Sequence, residues 1–137
     1  MQSATYQRKD THVLRLTSGE DLLGQITQYC NEHKIDAAEI TAIGAVKQAM
    51  LGFYDQDTHE YEKHSVDEPM ELLQASGNVS YLDEERFVHL HGTFSDEEGE
   101  IVAGHIFENT VVFAGEAVIH ELDGPDLVRE FDEKTGL

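Results

Sequence analysis

Only one stretch of this chain repeats its apolar residues at helical spacing, and that restricts it to a fold built mainly from strands. Leu22, Leu23, Ile26, Tyr29 and Cys30 recur every three or four positions, which predicts one amphipathic helix over residues 20–33. Ser18 stands three residues before Asp21 in an approximate capping box, with Asp a weaker partner there than Glu or Gln. Residues 12–17 alternate as a strand does. After Ala38 the helical period is gone. Residues 39–43 and 48–54 read as two strands linked near Gly44 to Lys47, and residues 71–76 as another, ended by the turn signal Gly77-Asn78. Residues 87–94 and 100–107 flank Ser95-Asp96-Glu97-Glu98-Gly99 as a hairpin, and residues 111–122 form a last, mostly apolar strand. The polar stretch 55–69, with His59 and His64, suits a solvated hairpin or loop with a short strand around Tyr61. Beyond Gly124-Pro125 the tail carries Leu127, Val128 and Phe131, enough for one helical turn or a frayed end. The pattern is that of a single α+β domain over residues 1–137, without repeat, low-complexity tract or interdomain linker.

Charge narrows the function classes. The 28 acidic residues outnumber the 9 Lys plus Arg, for a formal net charge of −19. Such a field repels a phosphate backbone, whose generic binding depends on Lys and Arg displacing condensed counterions. A direct DNA contact would need a local basic patch from residues such as Arg8, Lys9, Arg15, Lys47 and Arg86, which strand and loop spacing do not cluster. An acidic surface of this kind also suits a salt-rich, halophile-like cytoplasm, where salt screens self-repulsion. The opening residues hold no apolar stretch of signal-peptide length and no run spans a bilayer, so the expected location is cytoplasmic. The single cysteine, Cys30, lies on the apolar helical face and reads as a buried, inert thiol.

The residues that carry chemistry are histidines. Side chains two apart on a strand point to one face, so His89 and His91 are neighbours if residues 87–94 are regular. A hairpin turn centred on Glu97 would place His105 opposite His89 and diagonal to His91, close enough for one ion. A slip of one residue would send His105 to the other face. Three imidazoles suit zinc, nickel, copper or iron and leave a coordination position for water or substrate, and zinc is the default expectation. The alternative is that these are ordinary strand histidines bonded to backbone. Glu116 and Glu71 are candidates to orient an imidazole or assist water chemistry. His12, His33, His59, His64 and His120 show no comparable convergence. Phosphate loops, His-Glu-x-x-His, Gly-x-Ser-x-Gly and paired-cysteine motifs are absent from the sequence. His89-x-His91 and His105-x-x-x-Asn109 echo the two cupin metal motifs, but the spacing between them is compressed and the usual Pro-x-Gly is missing.

A broad set of motifs, in order, resembles the PPC domain, the plant and prokaryote conserved domain often labelled DNA-binding. They are Leu14-Arg15-Leu16 with Gly19-Glu20-Asp21, Ile43-Gly44-Ala45-Val46, Leu51-Gly52-Phe53-Tyr54-Asp55, Glu71-Leu72-Leu73 through Gly77-Asn78-Val79-Ser80, His89-Leu90-His91, Gly104-His105 and Gly115-Glu116-Ala117. They cover about residues 10–122, leaving 123–137 as a tail, and Ala103 stands where the family usually has the first glycine of Gly-Gly-His. The resemblance implies a curved, mostly antiparallel sheet of about seven strands packed with the N-terminal helix, a homotrimer, and a metal site at His89, His91 and His105. In plant relatives DNA contact belongs to a separate Arg-Gly-Arg-Pro hook, which this sequence lacks. The function expected is a trimeric metal-binding module with a regulatory or assembly role. The rival is a metal-dependent enzyme that uses the open coordination position on a small molecule, with a small anionic ligand as one partner.

Overall fold

Where the spacing predicted two strands joined near Gly44, the protein has one. The structure, a computed structural model, describes residues 3–137. Its elements are β1 (Gln7–Leu16), α1 (Leu22–His33), β2 (Ala38–Asp55), β3 (Glu60–Val66), β4 (Met70–Leu82), β5 (Glu85–Ser95), β6 (Ile101–Ile106) and β7 (Val111–Asp123). The seven strands form one sheet in the order β1-β7-β2-β4-β5-β6, with β3 added to β2. All of these strand pairs are antiparallel.

The 18 residues of β2 organise this sheet. Its first half pairs with β7 on one side and β4 on the other. Its second half pairs with β3 and meets β6 at Leu51↔Ile106 and Gly52↔His105. The path β2-β4-β5-β6 therefore returns to β2, and the sheet closes on itself. Gly44 permits the bend between the halves. Its φ is +149°, and a Cβ there would lie 2.3 Å from the Ala114 carbonyl oxygen. Strand register shifts around it against both β4 and β7. The residue read as a turn is a kink in a continuous strand.

A second turn signal has the same fate. Gly77-Asn78 lies inside β4, where Gly77 faces Leu90 and Asn78 faces His89. The actual turn is Asp83-Glu84, at φ +50° and +67°, between the paired Leu82 and Glu85. Two consecutive positive φ values make a tight hairpin, but neither residue is the Asn or Gly that usually marks one.

Helix α1 starts after Asp21 and not at Ser18. Asp21 is the N-cap, with Oδ1 accepting from the Gly24 N–H at 2.7 Å, while Oδ2 accepts from the N–H groups of Asn109 and Thr110. The helix ends at Lys34, whose left-handed backbone donates to the carbonyls of Asn31 and Cys30. Leu22, Ile26 and Cys30 are its buried stripe and join Ile40, Leu51, Leu72, Leu90, Phe94, Ile106 and Ile119 in the core. Removing a large side chain such as Leu22 from water contributes about 2 kcal/mol. Burial also pushes the Cys30 thiol up to about 11, which keeps it inert.

The tail forms no helical turn at Leu127, Val128 and Phe131: Leu127 accepts from Tyr81 N–H at 2.7 Å and Arg129 N–H donates back to the Tyr81 carbonyl at 2.8 Å, so this stretch lies parallel beside the end of β4. One turn follows it, where the Asp132 carbonyl accepts from the N–H groups of Thr135 and Gly136.

Gly77 generates a test. A Cβ there would lie 1.7 Å from the His89 carbonyl oxygen, a backbone atom that has no room to move. Gly77→Ala should lower stability by about 3 kcal/mol or more in urea unfolding. Gly99→Ala, where a Cβ meets nothing within 4 Å but φ is +85°, should cost only about 1 kcal/mol. Equal losses would refute the close-approach reading.

Candidate metal centre

One row of directly paired residues crosses five strands: Ser76 on β4, His91 on β5, His105 on β6, Gly52 on β2 and Lys63 on β3. Directly paired residues share a face, so His91, His105 and Lys63 emerge on one side of the sheet. His89 reaches that side from the adjacent row, opposite Asn78. The opposite face holds the buried Leu90 and Ala75.

The hairpin register differs from the one expected. His91, not His89, faces His105, because the loop is centred on Glu98 between the closing pair Ser95↔Ile101. Asp96 sets that loop: its Oδ1 accepts from the N–H groups of Glu98 and Glu100, and its own N–H donates to the Glu100 carbonyl. The difference amounts to a two-residue shift in β6, which preserves the face and so the convergence.

One nitrogen from each of His89, His91 and His105 lies within 4.8 Å of the others. The Nε2 atoms of His89 and His91 are 3.1 Å apart, close to the edge of about 3.3 Å that tetrahedral zinc–nitrogen bonds would require. His105 is 9% exposed, and its Nδ1 is buried with no hydrogen-bond partner among the described residues. A buried imidazole nitrogen without a partner is costly, and a metal or ligand contact would satisfy it. The three residues fit a divalent ion on both counts.

The surroundings keep the His89 and His105 rings neutral. Burial, then Arg129 and His91, holds His89 down to about 4. For His105 burial is again the largest cause, followed by His89, His91, Lys63 and Arg129, and it too falls to about 4. Every charge acting on these two rings is cationic. An imidazole must be neutral to ligate, so burial prepares the pair for metal at neutral pH.

Arg129 arrives from the tail. Its Nε donates to Ser80 Oγ at 2.8 Å, and its Nη2 donates to Asn78 Oδ1 at 3.0 Å and to His89 Nδ1 at 3.1 Å. Because an arginine only donates, a neutral His89 ring in this arrangement carries its proton on Nε2 and offers it to His91 Nε2; ligation through Nε2 would require that proton to move to Nδ1 and the Arg129 contact to open. On the other flank Tyr61 and Phe107 pack on His105, at ring separations of 5.0 and 4.5 Å. Lys63 Nζ sits 4.0 Å from the centroid of the Phe107 ring. A groove of about 1390 Å³ reaches His89 and His105 and passes Tyr61, Phe87, Phe107 and Arg129.

Sequence reasoning named the three histidines but missed Arg129, Lys63 and Tyr61. No spacing rule reaches Arg129, because the tail is brought to β4 by backbone bonds to Tyr81 that only the folded sheet supplies. Glu71 pairs with Ser95 and Ala45, and Glu116 with Ile43 and Arg15, so neither carboxylate comes to the centre. Of the other histidines, His12 bonds Tyr29, His33 stacks on the same ring, His120 bonds Thr11 and His64 is exposed on β3.

Residues 3–123 match the family model of the Plants and Prokaryotes Conserved (PCC) domain. A metal-containing protein from Archaeoglobus fulgidus superposes with a TM-score of 0.96 at 42% identity, covering 100% of this chain and 96% of that one. A plant- and prokaryote-conserved protein from Pyrococcus horikoshii gives 0.93 at 32% identity, again over 100% and 96%. The bifunctional protein GlmU of Synechococcus sp. (strain JA-2-3B'a(2-13)) is 28% identical over 126 residues, which are 90% of this chain but only 18% of that protein.

The lowered histidines make stability depend on pH. An unfolded chain takes up protons below about 6.5, whereas folded His89 and His105 resist them until about 4. Chelator-treated protein should therefore lose stability as pH falls through that window. Urea unfolding at pH 7 and pH 5 should show a smaller loss in His105→Gln than in wild type. An identical loss in both would mean that His105 titrates normally.

Proposed function

Because the chain belongs to the Plants and Prokaryotes Conserved domain family, we propose that it is a metal-binding module in which His89, His91 and His105 hold one divalent ion, with zinc the leading candidate. The observation that carries this is the convergence of three imidazole nitrogens within 4.8 Å, one of the rings buried with a nitrogen unpartnered. The Archaeoglobus fulgidus protein, metal-containing and 42% identical, supports it. Bound there, the ion would supply an open coordination position for water or a ligand oxygen, since three protein nitrogens leave a tetrahedral set incomplete.

The role proposed is regulatory or in assembly, in a homotrimer. Val13 and Ile43 are exposed on the side of β1 and β2 away from the core, and Leu73 and Phe113 are exposed beside them in the strand order. Exposed apolar side chains on neighbouring strands suit contact between copies. The Synechococcus relative carries the matching segment within a much longer protein, which suits a module working beside other domains.

Two other readings rank lower. A metal-dependent enzyme acting on a small molecule is favoured by the groove that reaches His89 and His105. Direct DNA binding is disfavoured by the charge and by pairing of three of the five cations a basic patch would draw on: Arg8 with Glu39, Lys9 with Glu121 and Asp123, and Arg86 with Asp36.

Metal analysis after loading and desalting should find one zinc per chain near neutral pH, released as the pH is lowered. His91→Ala should weaken binding by about a hundredfold or more, while His64→Ala should leave it unchanged. Metal retained by a chain with both His89 and His105 changed to Ala would place the ion elsewhere. Light scattering should return three times the 15.4 kDa chain mass, and a monomer at micromolar concentration would remove the trimer.

A further inference from the structure

The two cations that flank the histidines have no carboxylate partner among the described residues, although acids outnumber bases threefold in this chain. Lys63 stands beyond Gly52 in the row that holds His105, and Arg129 stands over Asn78 and Ser80 beside His89. In strand order they bracket the site from opposite sides. Arg129 is partly desolvated against Phe87, with its Cζ 5.2 Å from the ring centroid, and its hydrogen-bond acceptors are all neutral: Ser80, Asn78 and His89. Its Nη1 has no acceptor among the described residues.

We propose that the groove beside the three histidines binds a small organic carboxylate, held between Arg129 and Lys63 with its apolar body against Tyr61, Phe87 and Phe107. This rests on the metal-site reading, because one carboxylate oxygen is taken to fill the open coordination position.

Three observations select this ligand class. An anion is called for because Arg129 Nη2 lies 3.1 Å from His89 Nδ1 and Lys63 Nζ 4.0 Å from the Phe107 ring that packs on His105, and neither cation has a carboxylate partner among the described residues. Glu32, Asp83, Glu85, Glu108 and Glu130 also line the groove, but none bridges to Arg129 or Lys63 and none acts on the His89 and His105 rings. A small ligand is called for because the net charge of −19 opposes a polyanion at every distance beyond the local field. An organic body is called for because the walls beside the cations are aromatic and offer a hydrated inorganic ion no compensation for lost water. The guanidinium fork matches a carboxylate in shape, and Nη1 remains available to donate.

The test uses the full chain loaded with one cobalt(II), whose visible spectrum reports a change of ligand. Benzoate should shift the spectrum in a saturable titration, and the uncharged isostere benzamide should not. Arg129→Met should weaken benzoate binding by about tenfold or more, the size expected for a lost hydrogen bond to a charged group, with cobalt stoichiometry unchanged. Lys63→Met, at an exposed position on β3 that carries no hydrogen bond, should weaken it in the same direction and covers the case in which the arginine variant fails to fold. A spectrum unmoved by benzoate, equal binding of benzamide, tighter binding of inorganic phosphate, or wild-type affinity in both variants would each overturn the proposal while leaving the metal site intact. A chain that takes up no cobalt would overturn the metal-site reading and this inference with it.

Discussion

The two pairs by which β2 meets β6, Leu51↔Ile106 and Gly52↔His105, carry more of the site than their number suggests. Without them β6 would be an edge strand, and His105 would stand on a rim open to water. With them, His105 is flanked by β5 on one side and β2 on the other, and β3 follows β2 into place with Tyr61 and Lys63. The burial that lowers the imidazole pKa is thus a consequence of sheet closure. Closure in turn requires β2 to pair with β4 in its first half and β6 in its second, which the bend at Gly44 makes possible.

This explains which parts of the site could be read in the sequence. Face is a matter of parity, and parity survives any shift by two residues, so His89-x-His91 and His105 could be assigned to one side of a hairpin from spacing alone. Register was not available, because Asp96 Oδ1 accepts from the Glu100 N–H as well as from the Glu98 N–H of an Asx-turn, and spacing alone does not reveal the second bond that closes the loop around Glu98. Glycine was ambiguous for a physical reason. Gly44 and Gly77 exist to let backbones approach, and a residue lacking a Cβ marks a turn and a close contact equally well. The real hairpin at Asp83-Glu84 has Asp, which tolerates positive φ, at its first position, but Glu84 carries no turn signature at the second. Arg129 lay beyond reach because its position follows from tail backbone bonds to Tyr81, which depend on the sheet already being formed.

Charge distribution separates the molecule into two environments. The surface is acidic enough that most attractive electrostatics must be local, and the pairs formed by Arg8, Lys9 and Arg86 take those cations out of play. The histidine side of the sheet is different: three imidazoles, a guanidinium and an ammonium, with aromatic rings between them and no carboxylate acting on the buried rings. Low dielectric strengthens both the repulsion among these groups and their attraction for anything negative. The neutral imidazoles relieve part of the repulsion. What is left belongs to Arg129 and Lys63, which burial and position hold beside the site.

The helix contributes to this arrangement through its N-cap. Asp21 uses one carboxylate oxygen to cap α1 at Gly24, and the other accepts from the N–H groups of Asn109 and Thr110. These two donors lie in the connection between β6 and β7, just past Phe107. Thr110 is fully buried, and its hydroxyl donates to the Phe107 carbonyl while accepting from the Met50 N–H. The same carboxylate that caps α1 therefore fixes where β6 ends, and with it the Phe107 ring that lies between His105 and Lys63. Recognising Asp21 only as the weaker partner in a capping box understates it. A side chain with two acceptor oxygens can serve two segments at once, and here the second segment is the one that leads out of the metal centre.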